Sequence, residues 1–203
     1  ARYSNTLGKN VAGYDKVSRP LTDQLIKEGI DIHFDDNIDD IPYDFRDNVT
    51  TVVVYTPAIP NDNNELNFFR ANGFVIKKRS EVLGMISKEK KCLAVAGTHG
   101  KTTVTTILSH LMRQSRMGCN AFLGGISKNY NTNYLVDKES KYMVVEADEF
   151  DRSFLQLSPQ KAIITAVDAD HLDIYSGSDD IKETFKKFVS RINSGGKLII
   201  KNG

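Results

Sequence analysis

The sequence predicts the α/β class: two Rossmann-like or phosphate-loop three-layer units, 1–90 and 91–203, each with a mainly parallel sheet and each incomplete. Three observations predict it. Short apolar runs alternate with stretches of helical period along the chain, the pattern of parallel strands joined by crossover helices. A charged run, Lys88-Glu89-Lys90-Lys91, separates two such series. The second series opens with the apolar run Cys92–Ala96, which passes through a loop with two glycines into Lys101-Thr102-Thr103.

In the first series, Ala1–Asn5 reads as the tail of a helix closed by Gly8, and Asn10–Tyr14 as a short strand ending at Asp15. Ser18 is the expected cap of a helix with Pro20 in its first turn, running to Glu28 and stopped by Gly29. Ile30–Phe34 is the second strand, and Asp35–Asp47 an acidic, solvated loop. Thr50–Tyr55 has a β-branched run and predicts a strand buried on both faces. A helix over Asn64–Ala71, a strand over Phe74–Lys77 and a helix over Ser80–Lys90 complete the series.

In the second series, the helix after the glycine loop is expected over Lys101–Arg116. Ala121–Ile126 reads as a strand running through Gly124-Gly125, Ser127–Tyr134 as a polar loop, and Tyr142–Val145 as a buried strand ending at Glu146. Lys161–Val167 is a strand ending at Asp168. Ser178–Ile192 is an amphipathic helix with Ile181, Phe185, Phe188 and Ile192 on one face. Ser194-Gly195-Gly196 turns the chain into a last strand, Lys197–Lys201.

Composition narrows the function. The net charge of +1 suggests neither nucleic acid nor an acidic membrane surface as partner. No apolar run approaches the roughly 20 residues that span a bilayer. The two cysteines, Cys92 and Cys119, are expected as buried thiols rather than a disulfide, which fits a reducing cytoplasm. Oligomeric state is left open. The chain lacks an initiator Met and stops just after a strand, so it reads as a piece of a longer protein.

The chemistry lies in three segments. In Gly97-Thr98-His99-Gly100-Lys101-Thr102-Thr103 the glycines let successive N–H groups turn toward an anion, and the helix that follows aims its positive end at the same point. Lys101 supplies a cation for the outer phosphates and Thr102 a hydroxyl for Mg²⁺. Only two residues separate Gly97 from the Gly100-Lys101 pair, where the usual phosphate loop has four. Glu146-Ala147-Asp148-Glu149 sets carboxylates at the mouth of a strand, and Asp168-Ala169-Asp170-His171-Leu172-Asp173 sets a histidine among carboxylates after another. In such sheets ligands gather at the carboxyl ends of the strands, so the three could converge. Thr102 and Glu146 are candidate ligands of one Mg²⁺, and His171 either aids a second ion or orients a ligand or water. Asp148 and Glu149 are either part of the site or solvated carboxylates. His33 and His110 carry no motif and read as structural, and the backbone of His99 counts for more than its ring.

In this order, the motifs Gly97–Thr103, Glu146–Glu149 and Asp170-His171-Leu172-Asp173 resemble the Mur ligases of peptidoglycan synthesis, above all the branch that adds L-alanine to UDP-N-acetylmuramate. Gly13-Tyr14-Asp15-Lys16, Pro20–Leu25 and Ser153–Leu157 point the same way. The resemblance covers nearly the whole chain. It implies a UDP-substrate domain over 1–90 and an ATP-binding domain over 91–203, with a third domain for the amino acid. It implies ATP-driven amide formation through an acyl phosphate, with ATP and Mg²⁺ as cofactors and UDP-N-acetylmuramate and L-alanine as substrates. Lys101, Glu146 and His171 would be catalytic, Gly97 to Thr103 would hold ATP, and Thr102, Glu146 and His171 the metal ions. By analogy Asp15 and Thr56 lie where UDP binds, and Gly124, Gly125 and Asn129 either approach the sugar and lactyl groups or are turn glycines and a solvated Asn.

The chain departs from the family in places. The family's first strand and glycine-rich UDP loop should precede Ala1, and the rest of its ATP domain should follow Gly203. Ala166 stands where an Asn is frequent. Lys186 falls near the place of a lysine that other branches carbamylate, and reads here as solvated. By itself the chain is expected not to complete the ligase cycle. Two other readings compete: a recycling ligase that adds a tripeptide to the same UDP-sugar, and a nucleotide-binding module without catalysis.

Overall fold

A computed structural model describes residues 1–168, 175 and 177–200. The chain divides into two compact units, Ala1–Arg79 and Ser80–Gly203.

The first unit begins with helix α1 (Arg2–Thr6) and contains two β-α-β segments. Strand β1 (Ala12–Tyr14) leads through α2 (Pro20–Lys27) to β2 (Asp31–His33), which pairs with it in parallel, Tyr14 opposite His33. Strand β3 (Val52–Tyr55) leads through α3 (Asn64–Ala71) to β4 (Val75–Lys78), again parallel, Val52 opposite Val75. Ser18 does not cap α2. Arg19 occupies the cap position and its N–H is taken by the Thr22 hydroxyl at 2.8 Å, while Ser18 donates to Asp23. The acidic loop has a structural duty: the Asp36 carboxylate accepts the N–H groups of Asn64 (2.9 Å) and Glu65 (3.1 Å), beside the Asn63 cap on Leu66. These are orphan donors of a helix start, where negative charge is also favoured. A second expectation fails here. Strand β3 is not buried on both faces, since Val52 and Val54 are 55% and 50% exposed. Among the described residues it pairs only with β4, so alternate residues of a two-stranded ribbon turn to solvent.

The second unit contains most of α4 (Arg79–Glu89) and a six-stranded sheet. Its strands are β5 (Lys91–Ala96), β6 (Asn120–Ser127), β7 (Thr132–Leu135), β8 (Tyr142–Glu146), β9 (Lys161–Ile164) and β10 (Lys197–Ile200), in spatial order β10-β9-β5-β8-β6-β7. All neighbours are parallel except β6 and β7. Two clusters form the core on the two faces of the sheet, with helices α5 (Lys101–Gln114) and α6 (Ser178–Val189) as outer layers. Cys92, Ala94 and Ala96 join Phe154, Ile181, Phe185 and Phe188 in one cluster, while Leu93 packs with Met112, Cys119, Ala121 and Val144 in the other. That split is the period-two alternation of a strand covered on both sides. The spacing Ile181, Phe185, Phe188 delivers three side chains to one face of α6. Phe188 stacks on Phe154 with centroids 4.7 Å apart, and Phe185 meets the same ring edge-on at 5.3 Å. Helix α4 lies close enough that a Cβ on Gly84 would press on the Gln156 carbonyl, and the Ser87 hydroxyl accepts the Ser158 N–H. Cys92 and Cys119 are free and buried, and burial pushes their thiols up to about 12 and about 11.

Three boundaries differ from expectation. Helix α6 ends at Val189 rather than Ile192, and Ile192 packs against the core from the turn that follows. The polar stretch after Ser127 is not all loop: Asn131, at φ 50°, turns the chain so that Thr132–Leu135 returns antiparallel on β6. Strand β9 stops at Ile164 rather than Val167: Thr165 N–H reaches the Ala96 carbonyl at the very end of β5, and the Ala166 carbonyl then turns to the Thr98 N–H of the glycine loop. No helix among the described residues is long and apolar enough to cross a membrane.

Candidate active site

The glycine loop joins the end of β5 to the start of α5, and the segment that follows β9 holds it from the side. Thr98 N–H bonds the Ala166 carbonyl at 3.0 Å. The Thr165 hydroxyl lies on the carbonyls of Ala96 and His99. The Thr98 hydroxyl accepts the Asp168 N–H at 3.1 Å. Gly97 has φ 134° and Gly100 φ 79°, conformations that side chains disfavour. A Cβ on Gly97 would also run into Thr165 and the backbone of Ala166. Gly100 is the N-cap of α5, so the helix opens at Lys101 with its first N–H groups turned to the loop.

Lys101 does not reach into solvent. Its ammonium bonds the Gly97 carbonyl at 2.8 Å and Glu149 Oε1 at 2.7 Å. Glu149 is 1% exposed, so of the two readings open for it the solvated one fails. Asp148 is exposed and accepts the Phe150 N–H. The Glu149 carbonyl accepts Tyr175 Oη–H at 2.6 Å and Arg152 N–H at 2.9 Å. Burial, with Glu149 nearby, pushes the Tyr175 phenol up to about 12, so it stays a donor. Arg152 lies over the Tyr175 ring and grips the Asp180 carboxylate with both contacts at 3.0 Å.

Glu146, at the end of β8, takes the Thr102 hydroxyl on Oε1 at 3.0 Å and the Gly124 N–H on Oε2 at 2.9 Å. A Cβ on Gly124 would strike this carboxylate. The Thr102–Glu146 pair fits a Mg²⁺ site, since magnesium–oxygen bonds of about 2.1 Å set adjacent ligand oxygens about 3 Å apart. Gly125 lies beside the Thr102 methyl. Thr103 is exposed on the first turn of α5, and Asn129 is exposed in the turn after β6. The His99 ring is largely exposed, 3.9 Å from Asp168. Lys186 is exposed and lies 3.8 Å from Glu183. Asp170, His171 and Asp173 lie outside the described residues. Asp15 and Thr56 stand at the ends of β1 and β3, where Asp15 Oδ1 accepts Val17 N–H and the Thr56 carbonyl accepts Ile59 N–H.

Sequence reasoning missed Thr165, Tyr175 and the pairing of Glu149. For Glu149 a signal existed: a phosphate-loop lysine needs a counter-charge, and the Glu146–Glu149 run offers several. Thr165 carried none, because a loop brace four strands further along the sequence has no local pattern.

Comparison with known proteins agrees with this fold. The model of the Mur ligase middle domain matches residues 95–203, and that of the Mur ligase family catalytic domain matches residues 1–91. The UDP-N-acetylmuramate–L-alanine ligase of Porphyromonas gingivalis is 53% identical over 203 residues, and that of Phocaeicola vulgatus 55% over 202. Both alignments cover 100% of this chain but 44% of the relative, so the chain spans less than half of their length. Among solved structures, the UDP-N-acetylmuramate–alanine ligase of Thermotoga maritima superposes with TM-score 0.81 at 29% identity, covering 98% of this chain and 45% of that one.

Proposed function

This chain belongs to the Mur ligase family, and from that premise we propose that its full-length protein joins L-alanine to the lactyl carboxylate of UDP-N-acetylmuramate at the expense of ATP. The observation that carries the reading is the set formed by the glycine loop, Lys101 and the Thr102–Glu146 pair at the carboxyl ends of β5 and β8. Residues 91–203 form the nucleotide-binding domain, and 1–90 receive the UDP part of the substrate near Asp15 and Thr56. The lactyl carboxylate attacks the γ-phosphorus, ADP leaves and an acyl phosphate forms. The amine of L-alanine then attacks the acyl carbon and expels phosphate.

The protein's part is positioning and charge neutralisation. The N–H groups of the loop and the start of α5 cradle the phosphates, and Lys101 meets the developing charge on the β- and γ-oxygens. Thr102 and Glu146 would hold Mg²⁺, which supplies Lewis-acid charge at the phosphoryl group. Gly124 N–H fixes the rotamer of Glu146 and leaves Oε1 to Thr102 and the metal side. His171 is assigned to a second Mg²⁺ by family resemblance. Membership of an ATP-dependent ligase family also suits a cytoplasmic enzyme.

The test is turnover by the full-length protein with L-alanine against the L-Ala-γ-D-Glu-meso-diaminopimelate tripeptide. Turnover of L-alanine alone is the expected result. Preference for the tripeptide assigns the recycling branch, and ATP binding without either product leaves a binding module.

A further inference from the structure

We propose that Glu149 is a positioning residue, which presets the ammonium of Lys101 for the outer phosphates of ATP. The inference rests on the nucleotide-binding reading and adds to it a residue that never touches the ligand. Glu149 is buried to 1% exposure and its carboxylate meets the Lys101 ammonium at 2.7 Å. A buried carboxylate is stable only with a partner, so the pair constrains both members. The mount is firm. The Glu149 carbonyl is held by the Tyr175 hydroxyl and the Arg152 N–H, and Ala147 N–H bonds Val95, in the strand that feeds the loop. The same ammonium also bonds the Gly97 carbonyl at the floor of the loop.

Donor arithmetic gives the consequence. An ammonium has three N–H groups. Among the described residues, Gly97 and Glu149 take two, and the third is left for a phosphate oxygen without either bond being broken. A lysine on a flexible four-carbon stem is thereby placed before the nucleotide arrives. Gly97, through its carbonyl, sets the height of the ammonium and Glu149 its direction.

The test is calorimetric binding of ATP·Mg²⁺ to the full-length protein and to Glu149→Gln and Glu149→Asp, together with KM for ATP and for L-alanine. In Glu149→Gln, ATP affinity is expected to fall about tenfold and KM for ATP to rise in step, while KM for L-alanine stays within about twofold. Glu149→Asp keeps the charge and recovers affinity to within about threefold of wild type. An equal rise in both KM values would mean a merely structural residue, and unchanged or tighter ATP binding in Glu149→Gln would mean that the pair holds the lysine back. Either overturns the proposal. If Glu149→Gln does not fold, Glu149→Asp decides by the same split: a loss of about two- to threefold confined to ATP supports positioning, and a loss shared with L-alanine, or none at all, overturns it. Absence of ATP binding by the wild type overturns the nucleotide-binding reading itself, before any variant is compared.

Discussion

Gly97 is the residue least open to change in this chain. Its φ of 134° excludes most side chains, and the space where a Cβ would stand belongs to Thr165 and Ala166. Gly97→Ala is expected to cost about 1–3 kcal/mol in urea unfolding and to abolish measurable ATP binding, since strain and collision act together. A variant that binds ATP normally would show that the loop adopts another shape. Glu146→Ala removes the partner of both Thr102 and Gly124, and a fall in kcat of about 10²–10³-fold is expected, read as product formed per minute at saturating substrates. In the first unit, Glu65 is the residue to titrate. Its Oε1 lies 2.6 Å from His33 Nε2, and burial raises its carboxyl above the ordinary 4.5, against the opposing pull of His33. The native state therefore binds the proton more tightly than the unfolded one. The contribution of Glu65 to stability is fully present below pH 4.5 and is lost as pH rises through the raised value. Urea unfolding of Glu65→Gln between pH 4 and 7 should remove this part of the slope. An identical slope in the variant would assign it to another group.

At the scale of elements, α6 and the turn after β8 carry the strongest packing. Phe188 is fully buried and stacked on Phe154. Phe188→Ala is expected to destabilise the second unit by about 3–5 kcal/mol, measured as a shift in the urea midpoint. The face of α6 was legible in the sequence because Ile181, Phe185 and Phe188 repeat at helical spacing, a local signal. The strand–loop–helix at Cys92–Thr103 was legible for the same reason, since its glycines and its lysine fall within a few residues of each other. Other features depended on partners distant in the chain. The valines of β3 read as a buried strand, but burial depends on what lies against each face, which Val52 and Val54 do not encode. Thr132–Leu135 looked polar because an edge strand needs only one packed face. The shortening of β9 follows from Thr165 and Ala166 bonding to residues nearly 70 positions earlier, and no window of sequence contains both partners.

At the scale of the whole molecule, the two units differ in what they bury. The first has Ile30, Ile41, Leu66 and Phe74 as its buried apolar side chains among the described residues, whereas the second has two extended clusters. Both cysteines lie in the second unit, with thiols pushed far above neutral pH and closed to solvent. Their reaction with an aromatic disulfide reagent therefore reports opening of that unit alone. In rising urea, part of the far-ultraviolet dichroism should be lost before either thiol reacts. Coincidence of the two transitions would show that the units unfold together.

The grip of β9 on the glycine loop sets when disorder is lost. A free glycine-rich segment samples many backbone conformations, and closing it around a phosphate would normally cost binding energy. Here Thr165, Ala166 and Asp168 fix the segment while the sheet assembles. The entropy is lost in folding, and the nucleotide meets a finished mould. Affinity for phosphate thus becomes a gauge of sheet integrity. A substitution that loosens β9 at Ala162, fully buried in the core, should weaken nucleotide binding and lower stability in the same proportion.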